Sequence, residues 1–303
     1  MSEPWVPEKV VGPDLARELI AEQFPELAWL EPQPFGEGFD NTAYLLGGEW
    51  VFRFPRRKLA VPLMERECRV LPKVAAKLAL PIPDPKYLGK PSEKYEWPFA
   101  GYRMLPGRTA DQLALTDDER LALAEPLGRF FHALHAVSAE EAQKLGVGPD
   151  TIGKLDVPLR IKRTHEGLET LRGTVVSAEL EQKMLAVLEA QTAPAAAPHV
   201  LLHGDLYSRH LLLDDSKRLA GVIDWGDIIY GHRATDLGGV LTFLPVKARD
   251  AFFSTYGEID AATLQLSRFR AVTHHVWVGR YAHEQKDAAL LRESLGGLER
   301  ATS

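Results

Sequence analysis

The stretch His203-Gly204-Asp205-Leu206-Tyr207-Ser208-Arg209-His210, followed by Gly221-Val222-Ile223-Asp224-Trp225-Gly226-Asp227, decides the reading of this chain. Val200-Leu201-Leu202 is a short apolar run of strand length that leads into His203. Leu211-Leu212-Leu213 and Leu219-Ala220-Gly221-Val222-Ile223 form a second pair of apolar runs, joined by the polar turn Asp214-Asp215-Ser216-Lys217-Arg218. As a hairpin, their antiparallel register sets His210 roughly opposite Ile223, with Asp224 at the open end and Asp205 on the loop feeding it. One carboxylate then stands beside a two-ligand metal site, which is what phosphoryl transfer from a nucleotide requires. Each motif alone has an ordinary reading, HGD as a turn and Asp224 as a strand-end cap. Both in this order around one hairpin favour the phosphoryl-transfer reading.

Composition permits this without demanding it. A chain of 303 residues can bury one large core or two modest lobes. Hydrophobic residues at 45% and charged residues at 26% are ordinary for a soluble globular protein. The formal net charge of −6 argues against nucleic acid or an anionic membrane as partner. A single cysteine, Cys68, excludes an internal disulfide framework and a cysteine-rich zinc site. Met1-Ser2-Glu3-Pro4-Trp5 has no basic region with an apolar follow-on, and no apolar run is long enough to span a bilayer. The expectation is a soluble, cytoplasmic protein; its oligomeric state is not readable.

Outward from the central stretch, the order of elements predicts two lobes, 1–106 and 107–303. Residues 13–30 carry helical spacing, with Leu15, Leu19 and Ile20 on one face. Phe35 to Phe54 reads as a β-hairpin, its first half Gly36-Glu37-Gly38-Phe39-Asp40-Asn41 and its second Trp50-Val51-Phe52-Arg53-Phe54. A helix over about 61–80 is stopped by Pro81-Ile82-Pro83-Asp84-Pro85, and strands fit 85–88 and 99–104. Gly101 to Gly107 reads as the lobe connector. Thr116-Asp117-Asp118-Glu119 is a capping box opening a long helix, with Leu121, Ala124, Gly128, Phe131 and His135 on one face. His132 and His135 read as packing residues. Charged helical segments fill 160–192, and Thr192 to Pro198 is a linker into the central strand. Strands with one helix, then mostly helices, is an α+β, two-lobed arrangement: a small, mainly β N-lobe and a larger helical C-lobe.

In protein kinases the same arrangement is written H-R-D-x-x-x-x-N and D-F-G, the first Asp handling the acceptor hydroxyl and the Asn and second Asp holding magnesium. Here the spacing from Asp205 to position 210 is kept, with His210 in place of Asn. That exchange, with H-G-D-L and I-D-W-G-D, resembles the aminoglycoside and macrolide phosphotransferase family. It is nearest in motif to the macrolide branch and the branch that modifies the aminoglycoside 2″-hydroxyl. The resemblance runs from about residue 35 onward, with its specific motifs within 200–237. It implies a protein-kinase-like fold, ATP or GTP as phosphoryl donor, a small-molecule acceptor, and a role of the antibiotic-resistance type.

Within that frame Asp205 is the catalytic base, and His210 and Asp224 hold the metal. Magnesium prefers oxygen ligands, so a nitrogen in the shell predicts that manganese is tolerated. Gly36 and Gly38 would let backbone amides approach phosphate oxygens, though any tight hairpin also uses glycine for positive φ. The strand of Arg53 resembles the family's phosphate-gripping strand, with Arg for the expected Lys, a change that keeps charge but is bulkier. Glu67, on the helical face of Leu71, is its expected partner, and Glu65 is a solvated charge. Arg103, Met104 and Leu105 would present a backbone edge to the purine, which does not distinguish ATP from GTP. His203 is expected to stiffen its loop, and Asp236 resembles the family's loop-anchoring aspartate. Asp227 either faces the acceptor or caps the next segment.

The family's C-terminal helices line the acceptor pocket, and here they supply His274, Trp277 and Tyr281 beside Phe269, Val272, His275 and Val276. Acids are sparse there until Glu284, which tilts toward an apolar or neutral acceptor, although the same spacing describes any buried helix face. Two other functions compete. One is a kinase-like nucleotide-binding protein with little turnover, motivated by Arg53 and His210. The other is a metal-dependent hydrolase using His203, Asp205 and Asp224, which lacks a further ligand cluster.

Overall fold

The structure is a computed structural model, and it describes residues 7–38, 40–191 and 197–303. Residues 1–6, Phe39 of the Gly36–Asn41 turn and most of the 192–198 linker lie outside the described residues. The chain divides into two compact units, one of residues 1–76 and 81–105, the other of 77–80 and 106–303.

The first unit contains α1 (Pro13–Gln23), β1 (Pro32–Glu37), β2 (Asn41–Leu46), β3 (Trp50–Pro55), α2 (Ala60–Val74), β4 (Pro85–Gly89) and β5 (Phe99–Arg103). Its five strands form one antiparallel sheet in the order β1-β2-β3-β5-β4. The expected two-stranded hairpin over 35–54 is therefore three strands. Gly47 and Gly48, at φ 56° and 73°, make a second tight turn that the strand pattern had run through. The first helix also stops earlier than expected, at Gln23, before a 3-10 turn over Pro25–Leu27. Residues 101–103 belong to β5 rather than to a connector, paired with Phe52, Val51 and Trp50. Alternation along β3 turns Phe52 and Phe54 inward, where Phe54 stacks on Phe99 with centroids 4.8 Å apart. Burial of each such ring contributes about 1.5–3 kcal/mol, and Leu19 and Ile20 of α1 close the same core.

The second unit is mostly helical: α3 (Asp117–His135), α4 (Ala139–Lys144), α5 (Val157–Leu171), α6 (Ala178–Glu189), α7 (Ala234–Phe243), α8 (Arg249–Tyr256), α9 (Ala261–Glu284) and α10 (Ala288–Ala301). Two small sheets are set among them. β7 (His199–Leu202) pairs with β10 (Ile229–His232), and β6 (Arg108–Thr109), β8 (Leu211–Leu213) and β9 (Leu219–Val222) form the other. The capping box of α3 is complete: Glu119 N–H donates to Thr116 Oγ1, and Thr116 N–H to Glu119. Of the face expected on α3, Ala124, Gly128, Phe131 and His135 are buried, together with Leu123, Leu127, Phe130 and Leu134, whereas Leu121 is exposed and the buried residue of the first turn is Arg120. α9 runs through the middle of the unit against α5, α7 and α10, and its Phe269, Val272 and Val276 join Leu168, Met184 and Leu298 in the core. Among the described residues no helix is long and apolar enough to cross a membrane.

Candidate functional site

β7 delivers the chain at His203 into a loop whose backbone is held at several points. The buried Asp236, in the first turn of α7, accepts from His203 N–H at 2.9 Å and Gly204 N–H at 2.8 Å. His135 Nε2 donates to the same carboxylate at 3.1 Å, and its Nδ1 lies 2.7 Å from the Tyr256 hydroxyl. Burial pushes the Asp236 carboxyl up, but His135 and the loop amides more than reverse this and hold it below the usual range. Gly204, at φ 88°, admits no side chain, because a Cβ would stand 2.3 Å from the Asp227 carbonyl oxygen. The two segments carrying Asp205 and Asp227 therefore touch backbone to backbone.

The histidines do the next part of the work. His203, fully buried, accepts from Asp205 N–H at 3.3 Å through Nδ1 and donates from Nε2 to the Ile223 carbonyl at 2.9 Å. Burial, first, and then His210 push its pKa down, and its two ring nitrogens tie the loop from both sides, the stiffening role expected of it. β8 and β9 pair with Leu211 opposite Val222, and Ile223 N–H donates to the His210 carbonyl at 2.9 Å. The hairpin thus has the anticipated register, and Asp224 follows at its open end with φ 63°, a left-handed conformation uncommon outside glycine. His210 Nδ1 donates to the Asp205 carbonyl at 2.7 Å, which leaves Nε2 facing Asp224 Oδ2 at 3.3 Å. Burial alone would lower the His210 pKa; the bond to Asp224 and that carboxylate's charge raise it.

Among the described residues no group of three or more His, Cys, Asp or Glu is placed to hold a metal ion. The pair His210 and Asp224 still fits one. An imidazole nitrogen with its lone pair turned toward a carboxylate oxygen at 3.3 Å needs a positive charge between them, supplied by a proton or a cation. The ring nitrogens of His203, in contrast, are both engaged, which removes it from the ligand set that the hydrolase reading needs.

The Asp205 side chain is held from α9. His274 Nε2 lies 2.9 Å from its Oδ1, and Arg270 Nη2 lies 4.0 Å from the same oxygen. Burial pushes the Asp205 carboxyl up, and His274 foremost, then Lys154, bring it well below the usual range. Asp227 is engaged by the buried Lys154, Nζ to Oδ1 at 2.7 Å, and the next element along the chain is the strand β10. Trp277 and Tyr281 follow His274 one and two turns along α9, Trp277 half-buried under the Arg280 guanidinium at 5.2 Å and Tyr281 exposed. Sequence reasoning missed Lys154 and Arg270. The helical spacing of Arg270 and His274 was a usable signal for the second; Lys154 had none, because it reaches the site from the loop before α5.

In the first unit, Arg53 Nη1 lies 2.9 and 3.1 Å from the two Glu67 oxygens, with Glu67 almost fully buried. Gly36 and Gly38 have space around them, and neither is among the glycines at positive φ. Gly36 sits at a register shift in β1, and Gly38 N–H donates to Asn41 O at 2.9 Å. Arg103 lies over the Trp50 ring at 5.9 Å, and Met104 N–H is used by the Glu49 carbonyl at 2.7 Å. That amide is therefore already donated within the first unit.

The chain is similar over its length to the GDP complex of wild-type aminoglycoside 2'-phosphotransferase-IIIa, with 26% identity, TM-score 0.72, and 96% of this chain and 98% of that one covered. The GDP and kanamycin complex of APH(2")-IIia is similar at 25% identity and TM-score 0.70, covering 94% and 97%. Macrolide 2'-phosphotransferase MphH from Brachybacterium faecium, at 23% identity and TM-score 0.61 over 94% and 98%, shares the fold. No curated protein sequence matches. The model of the phosphotransferase enzyme family matches residues 31–270. With a β N-terminal unit, a helical C-terminal unit and that match, the chain belongs to the phosphotransferase enzyme family and is a small-molecule kinase.

Proposed function

We propose that the protein transfers the γ-phosphoryl group of ATP or GTP to a hydroxyl of a small molecule of the macrolide or aminoglycoside kind. The observation that carries this is the gathering of Asp205, His210 and Asp224 at one end of the β8–β9 hairpin, with the Asp205 carbonyl bonded to His210 and its carboxylate turned to α9. Asp205 accepts the acceptor hydroxyl's proton, a task for which an ionised carboxylate at neutral pH is suited. His210 and Asp224 would hold a magnesium or manganese ion, which when bound neutralises charge on the donor phosphates. The pair Arg53–Glu67 serves the phosphates, with Arg53 kept in one rotamer by the buried carboxylate. Gly36 and Gly38, each with room for close backbone approach, are assigned to the same phosphates, and the backbone of Arg103 to Leu105, apart from the Met104 amide already donated to Glu49, is assigned to the purine.

Support for the donor comes from the GDP bound in two solved relatives, and for the acceptor from the kanamycin in one of them. His274 faces Asp205, while Asp227, Trp277 and Tyr281 are assigned to the acceptor side; we place the protein in the cytoplasm, where nucleotide donors are abundant.

The test is nucleotide consumption with ATP and GTP, each with magnesium or manganese, against a panel of aminoglycosides and macrolides. Asp205→Asn should lower turnover by about 10²–10⁴-fold while sparing nucleotide affinity, the range for losing a general base. Asp224→Asn should weaken metal-dependent nucleotide binding as well, read as loss of the nucleotide-induced rise in Tm. Turnover of Asp205→Asn equal to wild type would remove Asp205 as the base. A nucleotide-induced rise in Tm without consumption on any acceptor would instead favour a binding protein with little turnover.

A further inference from the structure

The loop around Asp205 is anchored twice over. Its backbone is held by Asp236 of α7 through the His203 and Gly204 amides, and by His203 and His210 through the Asp205 amide and carbonyl. None of these bonds touches the carboxylate, whose two side-chain torsions they leave open. The carboxylate is fixed from a different helix. His274 Nε2 meets Oδ1 at 2.9 Å, and Arg270, one turn earlier on α9, stands 4.0 Å from that oxygen while its Nη2 reaches the Gly204 carbonyl at 3.5 Å. The His274 ring is itself clamped, edge-on to Tyr207 at 5.9 Å and 83°, and edge-on to His275 at 5.5 Å and 86°. Its side chain is only 12% exposed.

From this juxtaposition we infer that His274 is a positioning residue for Asp205: its Nε2–H donor occupies Oδ1 and fixes the carboxylate plane, so that Oδ2 alone is presented to the acceptor hydroxyl. The inference rests on Asp205 being the base, and it assigns His274 to the enzyme's own machinery rather than to acceptor recognition. A carboxylate with both torsions open spends most of its time misdirected, and fixed geometry is one of the larger sources of rate in group transfer. A donor on a rigid central helix supplies that geometry better than one on a loop. Arg270, without a short bond to Oδ1, adds positive charge beside it but not direction.

The experiment pairs a donor-less variant with a donor-retaining one. His274→Phe keeps ring shape and loses the donor; His274→Gln places an amide nitrogen near the position of Nε2. Hydrolysis of ATP and GTP with magnesium, using water as acceptor, and transfer to kanamycin are followed for both, alongside 15N–1H NMR of the histidine side chains. In the wild type His274 should be in the Nε2–H tautomer with a slowly exchanging proton, and that signal should shift in Asp205→Asn. His274→Phe should lower kcat by about 10- to 100-fold, the worth of one hydrogen bond to a charged group, with KM for nucleotide unchanged. His274→Gln should recover most of the loss.

An NMR signal for His274 that lacks the Nε2 proton, or that ignores Asp205→Asn, overturns the inference whatever the activity. So does a kcat for His274→Phe equal to wild type, or an equal loss in Phe and Gln variants. Retained turnover in Asp205→Asn would overturn the choice of base instead, which separates the two failures.

Discussion

The two units treat their charged residues differently. In the first, Arg53 and Glu67 are fourteen positions apart on adjacent elements, β3 and α2, and they meet directly. In the second, the Asp205 loop is held by Asp236 and His135 on one side and by His274 and Arg270 on another, residues drawn from α7, α3 and α9. A local pair can be lost with local consequences. A loop held by long-range anchors fails when any helix that carries an anchor shifts. The histidines follow the same division, since all ten lie beyond residue 105 and so in the second unit.

The largest expected effect is at Asp236. Asp236→Ala leaves two buried amides, of His203 and Gly204, without an acceptor, and buried unsatisfied groups cost about 1–3 kcal/mol each. We expect a loss of about 2–6 kcal/mol in the second unit from those two terms, measured by urea unfolding, with loss of turnover. Asp236→Asn keeps one acceptor oxygen and should fall between. A variant as stable as wild type would break the comparison at its strongest point, because the loop would then be held by something other than α7.

Acid sensitivity comes next and should be specific to the second unit. Burial lowers the pKa of His203 and His275, and pushes His274 down to about 4, all from an ordinary value near 6.5. The unfolded chain therefore takes up these protons first. Stability from these groups is fully present above the ordinary histidine range and is lost as pH falls below it. Each contributes up to about 1.4 kcal/mol per pH unit in that window. Raised His210 acts oppositely, its contribution being lost as pH rises, and offsets one of the three. Tm measured from pH 7.5 to 5 should fall, with amide exchange accelerating in α7 and α9 and not in the β1–β5 sheet. Equal acceleration in both units would show that the histidines do not set the acid response.

The same division explains what could be read in advance. The hairpin register, the His210–Asp224 approach and the Arg53–Glu67 pair follow from strand alternation, helical spacing and turn residues, all of which act over a few positions. The capping box was legible for the same reason. The second turn at Gly47–Gly48 is hidden because β2, Asn41–Leu46, alternates in burial but not in polarity: Thr42, Tyr44 and Leu46 are buried, while the apolar Ala43 and Leu45 are only partly so. Lys154 has no sequence signature, because it comes from a loop and only its partner Asp227 reveals it, whereas Arg270 is signalled by its one-turn spacing from His274 but owes its place beside Asp205 to tertiary packing. His274 was named for the acceptor side, but its contact with Asp205 bridges residues about seventy positions apart and belongs to tertiary packing.

The smallest effect is expected where the comparison began, at the local pair. Glu67 is 1% exposed and Arg53 19%, so solvent screens the pair little on one side and partly on the other. Glu67→Ala removes an acceptor from a charged donor that can still reach water, and we expect a loss of about 1.5–3 kcal/mol, the range for a charge-assisted hydrogen bond. Tyr102, whose ring lies 5.7 Å from the Arg53 guanidinium, and Cys68, 3.6 Å from the Tyr102 hydroxyl, should report any rearrangement. Burial pushes the Cys68 thiol up to about 11, so slow alkylation is expected in the wild type. Faster alkylation in Glu67→Ala, with unchanged amide exchange in α7 and α9, would place the damage in the first unit alone. Exchange accelerated in α9 would mean that the pair is not local after all, and the contrast between the two units would have to be redrawn.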